Sequence, residues 1–447
     1  MTTRFSVCFC NKGGVFMRQN RSQKIAGKQL LPLLIALFLL VGCSNADLAR
    51  FLITPAAPTA ATSTTMDPAL ASRNRLLVEG IDGNLFTINP DGTARLDLTT
   101  DASRTRTYSQ ATWSTTGERL GWVRFEATTA GGRSALITSR ADGSDRSEAE
   151  TSFAPFYLYW SPDDSKLAYL SNWISEGSQT IALQLLDVAN GNADTALVGT
   201  GQPFYFSWAP GGKQMVTHIA NEQVALLAVA DGALQPLSDA ATNFAAPQWS
   251  ATGDQLLYAT TVDTIPQLVL TDAAGENATL VTTLSRTDTV SFSLNRQGTR
   301  LAYVETSDQV GFSAFGPLFL YDLTAEEFTQ LSDGPVLAFA WSPDGEALFF
   351  LSAEVAGDRI WLRVNIWDGD QVRPFARFVP SPVFVRNYLP FADQYMQSLR
   401  FWSPDSRAVV YAGQSETGEG GIWVQPIQDD APAQLVADGL FATWSPK

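Results

Sequence analysis

The stretch Phe339–Ser352 reads FAWSPDGEALFFLS. Trp341 closes a short apolar run. Ser342-Pro343-Asp344-Gly345 then follows a type I turn position by position, with Ser at the first place, Pro fixing φ at the second, Asp third and Gly fourth. Leu348–Leu351 is a second apolar run of strand length. Two strands and a tight turn in fourteen residues predict a hairpin.

The hairpin recurs along the chain. Copies are ATWSTTGERLGWVR (111–124), LYWSPDDSKLAYLS (158–171), FSWAPGGKQMVTHI (206–219), PQWSATGDQLLYAT (247–260), FSLNRQGTRLAYVE (292–305) and RFWSPDSRAVVYAG (400–413), and the chain ends on FATWSPK. The marker residues are Trp113, Trp160, Trp208, Trp249, Leu294, Trp341, Trp402 and Trp444, spaced by 47, 48, 41, 45, 47, 61 and 42. A period in the forties built from short strands predicts a β-propeller. A third apolar run in each unit ends in an Asp/Asn/Gly turn, such as LFTINPDG (85–92), and a weaker fourth follows, such as ARLDLT (94–99). Four strands make one blade.

The fold expected is therefore all-β, a single propeller over 76–447. The N-terminal unit lacks a Trp strand, and the C-terminus is a lone first strand. Their pairing would close the ring and remove the edges that an open array exposes. Counting that composite unit gives eight blades, or seven if one unit is misread.

Composition limits the chemistry. Residues 1–42 carry six Lys/Arg and no acid, so from Cys43 onward the formal charge is −21. Such a surface repels phosphate backbones and anionic lipid, which argues against nucleic-acid binding. The cysteines are Cys8, Cys10 and Cys43, and the one histidine is His218. No disulfide, thiolate metal site or cysteine nucleophile is available to the body, and no histidine metal centre can be built. No cofactor is expected. The Asp-Gly and Pro-Asp pairs read as turn residues rather than Ca²⁺ ligands, and the tryptophans as blade packing rather than a sugar ladder. No Gly-x-Ser-x-Gly elbow is present.

At the N-terminus, basic residues 18–28 precede the apolar run Leu30–Val41, which is short for a membrane span of about 20 residues. Leu40-Val41-Gly42-Cys43 resembles the lipobox of bacterial lipoproteins. That resemblance implies cleavage before Cys43, lipidation of its thiol and anchoring on a cell-envelope membrane, outside the cytoplasm. Residues 1–42 are read as the signal peptide, with Met17 a more usual start than Met1. Residues 43–75 form a Thr/Ala/Pro-rich tether.

The Trp-Ser-Pro-Asp-Gly pattern resembles the repeats of TolB-type propellers, whole at Trp341–Gly345 and in part at Trp160, Trp402 and Trp444. The resemblance implies an envelope protein that binds other proteins. TolB-type proteins have six blades and a preceding α/β domain, and this chain departs from both. The expected role is thus a monomeric, lipid-anchored binding or scaffolding module for an unknown protein or peptide. The alternatives are a carbohydrate- or peptide-processing enzyme with a funnel site, or the partner of a separate hydrolase.

The longest interval, Trp341 to Trp402, contains an insertion over 380–397, PSPVFVRNYLPFADQYMQ. Arg386, Tyr388, Phe391, Tyr395 and Met396 give it the composition of a recognition surface. A loop that binds a partner, and whose removal leaves the fold intact, is the expectation; the alternative is a strand-connecting loop folded onto its own blade.

Overall fold

The repeated turn shows why the hairpin forms. Gly345 N donates to Ser342 O at 2.8 Å, and Ser342 Oγ accepts from Ala347 N at 2.9 Å. Asp344 Oδ1 accepts from Glu346 N at 3.1 Å. The fourth turn residue takes a left-handed φ of +78° in Gly345, which explains the glycine. Asp164 and Ser406 hold the same place at φ +60°. In the copy that lacks Trp and Ser, Asn295 supplies the same caps, its Oδ1 accepting from Thr299 N at 2.8 Å and Arg300 N at 3.0 Å. That copy departs in residue type and keeps the bonding.

A computed structural model describes residues 73–447, except 130, 189–194, 221–222, 238–244, 285–287, 308–311, 358 and 429–430. The signal peptide, Leu40–Cys43 and all but the end of the tether lie outside the described residues.

The described strands form antiparallel sheets, and the fold is a β-propeller. Five sheets each begin on a Trp- or Leu-ended strand and add three neighbours in sequence order. Their first strands are Arg106–Trp113, Pro155–Trp160, Phe204–Trp208, Gln248–Trp249 and Asp288–Leu294. A sixth sheet joins the two ends of the body, ordering Leu96–Asp97, Leu85–Ile88, Leu76–Glu79 and Phe441–Trp444. Its register sets Leu76 against Trp444 and Glu79 against Phe441. The expected closure by the C-terminal strand is thus present. Arg75 N donates to Ser445 Oγ at 3.0 Å just beyond it.

The remaining strands form a seven-stranded sheet from Val336–Trp341 to Gln434–Ala437. Its middle is weak. Val372–Pro380 and Ala408–Gln414 share only the pairs Val379–Gln414 and Pro380–Gly413. Between them runs the insertion, and Trp402 reaches its own unit through a single bridge to Val409. The count of eight rests on dividing the sheet there.

The core lies between consecutive sheets. Leu77 and Leu85 of the closing sheet pack with Trp113, Leu120 and Trp122 of the next. Val123 and Leu136 then pack with Leu158, Trp160 and Tyr169. Across these interfaces four of the marker indoles bond backward around the ring, while the Nε1 atoms of Trp160, Trp249 and Trp444 are buried without a hydrogen bond. Trp113 Nε1 donates to Thr443 O at 3.3 Å, Trp208 to Tyr159 O at 3.2 Å, Trp341 to Ser293 O at 2.9 Å and Trp402 to Ala340 O at 3.0 Å. Each acceptor is the residue before the neighbouring marker. Beside Leu294, Gln248 makes the link instead, donating to Phe292 O at 2.8 Å and accepting from Leu294 N at 3.3 Å. The tryptophans are packing residues, and four of them also tie unit to unit.

Removing Phe441–Lys447 leaves Leu76–Glu79 as a bare inner edge and uncovers the core around Leu77. We expect a lower thermal midpoint and concentration-dependent association in light scattering. A truncated chain that stays monomeric with an unchanged midpoint would contradict this account of closure.

Candidate functional site

The first strands of the sheets line the centre of the ring, and the insertion fills it. Segment 381–398 leaves the sheet at Pro380, makes a π-type turn at Phe384–Tyr388, a 3₁₀ turn at Leu389–Phe391 and the helix Ala392–Ser398. Pro390 suits a first helical turn, where its missing N–H is not needed. The helix packs against first strands from four sheets, Pro155–Trp160, Phe204–Trp208, Asp288–Leu294 and Val336–Trp341.

Several of its polar groups are tied to the surrounding wall, although Tyr388 Oη and Gln394 Nε2 are buried without a hydrogen bond. Tyr395 Oη donates to Phe156 O at 2.6 Å and lies 3.1 Å from Gln110 Oε1. Tyr157 Oη donates to Gln394 O at 3.1 Å, and Tyr205 Oη to Asp393 Oδ1 at 3.2 Å. Asp393 N donates to Ser313 Oγ at 3.3 Å, and Gln397 Nε2 to Pro247 O at 3.3 Å. Aromatic packing continues the contact. Tyr388 stacks on Phe441 with centroids 3.9 Å apart, and Tyr395 meets Tyr157 edge-on at 5.1 Å.

The expectation of a surface loop is therefore corrected. Tyr388 and Tyr395 are 2% and 5% exposed and face the interior. Met396 is half-buried, while Arg386 and Phe391 are exposed. Aromatic composition served interior packing as readily as recognition. Deleting 381–397 would leave the centre unfilled and strand the hydroxyls of Tyr157 and Tyr205 without these partners. The fold is not expected to be indifferent to it.

Two buried titratable groups, Asp393 and His218, lie in this interior. Burial pushes the Asp393 carboxyl up to about 6, against the pull of hydrogen bonds from Ser313, Gln394, Tyr205 and Ala246. Burial pushes His218 down to about 4; its Nδ1 lies 3.0 Å from Ala245 O. His218 is thus a packed, neutral histidine at pH 7. Glu79, near Tyr388, is raised by burial to about 7.

On the face of the Trp-Ser turns the plug stops short, leaving a recess of about 390 Å³. Met396 and Gln397 border it from the plug, and Tyr159, Trp160, Trp208, Trp249 and Trp341 line it with Pro162 and Pro210. Its polar groups are amides and hydroxyls from Gln248, Gln397, Thr115, Ser207, Ser250 and Ser293. No Asp, Glu, His, Lys or Arg is among these lining residues, and no cluster of three metal-ligating side chains occurs among the described residues. Tyr159, Gln248 and Gln397 were missed in the sequence. The signal for the first two was their place immediately before the marker residue, where a first strand faces the centre.

Neither a protein-family model nor a curated protein matches this sequence. Solved structures do. A eukaryotic initiation factor superposes with a TM-score of 0.53 at 12% identity, over 84% of this chain and 99% of that one. The β-propeller domain of the Trilobed protease from Pyrococcus furiosus gives 0.46 at 13%, over 75% and 99%. TolB from Acinetobacter baumannii gives 0.38 at 14%, over 69% and 82%. At these identities the likeness is one of fold.

The Asp393 carboxyl gives a pH test. Its folded pKa near 6 exceeds the ordinary 3.8, so the folded chain takes up the proton first. Its contribution is most favourable below about pH 4 and is lost as pH rises through 6. We expect Asp393→Asn to be more stable than wild type at pH 8, by on the order of 2–3 kcal/mol, with the difference shrinking by pH 4.5. Urea unfolding at both pH values measures it, and equal differences at both would count against a buried carboxyl.

Proposed function

We propose that the chain is a lipid-anchored, extracytoplasmic binding module whose working surface is the tryptophan-lined recess. The observation that carries this reading is the plug. It occupies the centre of the ring with the chain's own residues, and the opening that remains offers apolar walls, amides and hydroxyls. Among its lining residues only Tyr159 carries a group that titrates, and it is half-buried with its pKa raised by desolvation. That set suits holding a ligand more than moving protons or attacking a bond.

Anchoring rests on the lipobox at Leu40–Cys43. The described body begins at Arg73, and Asn74 N donates to Lys447 O beside the last Trp-Ser pair. The chain thus enters the ring on the face that carries the recess.

A photo-crosslinking residue in place of Met396 tests the reading in native membranes. We expect a discrete protein or peptide adduct in the membrane fraction, reduced by Ser293→Trp, which puts an indole into the recess from its wall. Cys43→Ala should move the protein out of that fraction. Absence of any adduct, or catalytic turnover abolished by blocking the recess, would overturn the proposal.

A further inference from the structure

Most polar groups in the lining of the recess are already engaged within its wall. Trp208 and Trp341 spend their indole N–H groups on Tyr159 O and Ser293 O, and Trp402 takes Ala340 O. Gln248 uses both ends of its amide, on Phe292 O and Leu294 N. Ser250 Oγ donates to Asp254 Oδ1 at 2.8 Å and accepts from Gln255 N at 3.0 Å. No charged side chain is among the lining residues. A ligand with charges or many N–H groups would lose its water there and gain few bonds in return. What the walls offer is aromatic and proline surface, from Tyr159, Trp208, Trp249, Trp341, Pro162 and Pro210.

Proline meets those terms. It brings no N–H, and proline-rich segments in the polyproline II form dock in aromatic-lined grooves. This chain carries such a sequence next to the body. Residues 54–66 read TPAAPTAATSTTM, with Pro55 and Pro58 at the spacing P-x-x-P and no charged residue. That composition favours polyproline II. These residues lie outside the described ones, so their place is argued from sequence and connection.

The connection puts them within reach. Ser445 N donates to Arg75 O at 2.8 Å, which holds the entering chain at the last Trp-Ser pair, on the recess face. The neighbouring unit starts beside it. Trp113 Nε1 donates to Thr443 O at 3.3 Å, and Thr115, two residues further, lines the recess. Pro58 stands 15 residues before Arg73, about 45 Å of chain at the polyproline rise. The centre to be reached is filled by a single helix, about 10–12 Å across with its side chains. A link of this length keeps the segment at roughly millimolar effective concentration, so a weak contact is enough to populate the bound form. Resting on the binding role proposed above, we infer that the segment 55–58 occupies the recess as an internal ligand, which a partner must displace.

A photo-crosslinking residue in place of Met396, in the purified full chain in detergent, reads this directly. Trypsin releases 51–73 and 387–400 as single peptides, and a product joining the two is expected. In a mixture of isotope-labelled and unlabelled chains, each product should carry one label only. Pro55→Asp combined with Pro58→Asp should lower the yield roughly 10-fold, because no cation lines the recess to receive a carboxylate; Pro55→Ala with Pro58→Ala should fall between. Thermal midpoints of both variants report whether they fold, and the product from the proline-containing chain stands without them. In native membranes the partner adduct should rise severalfold in the aspartate variant. Absence of a product with 51–73, products carrying both labels, or an undiminished yield from the aspartate variant overturns the inference. If the product with 51–73 is absent while the partner adduct persists in membranes, the binding role survives and occupancy by the chain's own segment does not.

Discussion

First strands arranged around a wide ring diverge at the centre, and their own side chains cannot fill the space between them. Close packing is the ordinary condition of a protein interior, so a wide ring needs something in its channel. Here the chain supplies it from one place, the interval after Val372–Pro380. The residues that line the wall answer it. Tyr157, Tyr205 and the carbonyl of Phe156 each bond to the plug. The weak seam in the seven-stranded sheet has the same origin. A chain that must leave the sheet, cross the centre and return spends residues that would otherwise have formed a regular first strand before Trp402.

The interfaces between sheets depend on a second, repeated device. An apolar ring buried between sheets would leave an indole N–H without water, and unpaired buried donors are expensive. Four marker tryptophans solve this by donating to the carbonyl that precedes the neighbouring marker. At those four interfaces the bond ties one unit to the last, whereas Trp160, Trp249 and Trp444 bury their N–H without a partner and contribute packing alone. Where leucine replaces tryptophan, no donor exists to satisfy, and Gln248 bridges the same gap with an amide.

What could be read in advance follows from how local each cause was. Turn residues report their own backbone, so Ser342–Gly345 and its copies disclosed the hairpins, their period and the composite closing sheet. Asn295 was legible only in part, because its carbonyl oxygen does the work of a serine hydroxyl. The destination of 381–398 was not legible. Tyr388, Phe391 and Tyr395 suit a recognition surface and a packed interior alike, and only distant residues such as Phe156 and Tyr205 decide between them. A sharper sign was present in its charge: two ionisable acidic or basic residues, Arg386 and Asp393, in eighteen.

The central claim is that 384–398 is interior structure on which the recess is built. Hydrogen exchange resolved over that segment tests it most directly. The account predicts that amides of Ala392–Ser398 exchange as slowly as those of Pro155–Trp160 and Val336–Trp341. Exchange as fast as at an exposed hairpin tip, such as Ser175–Ser178, would contradict it.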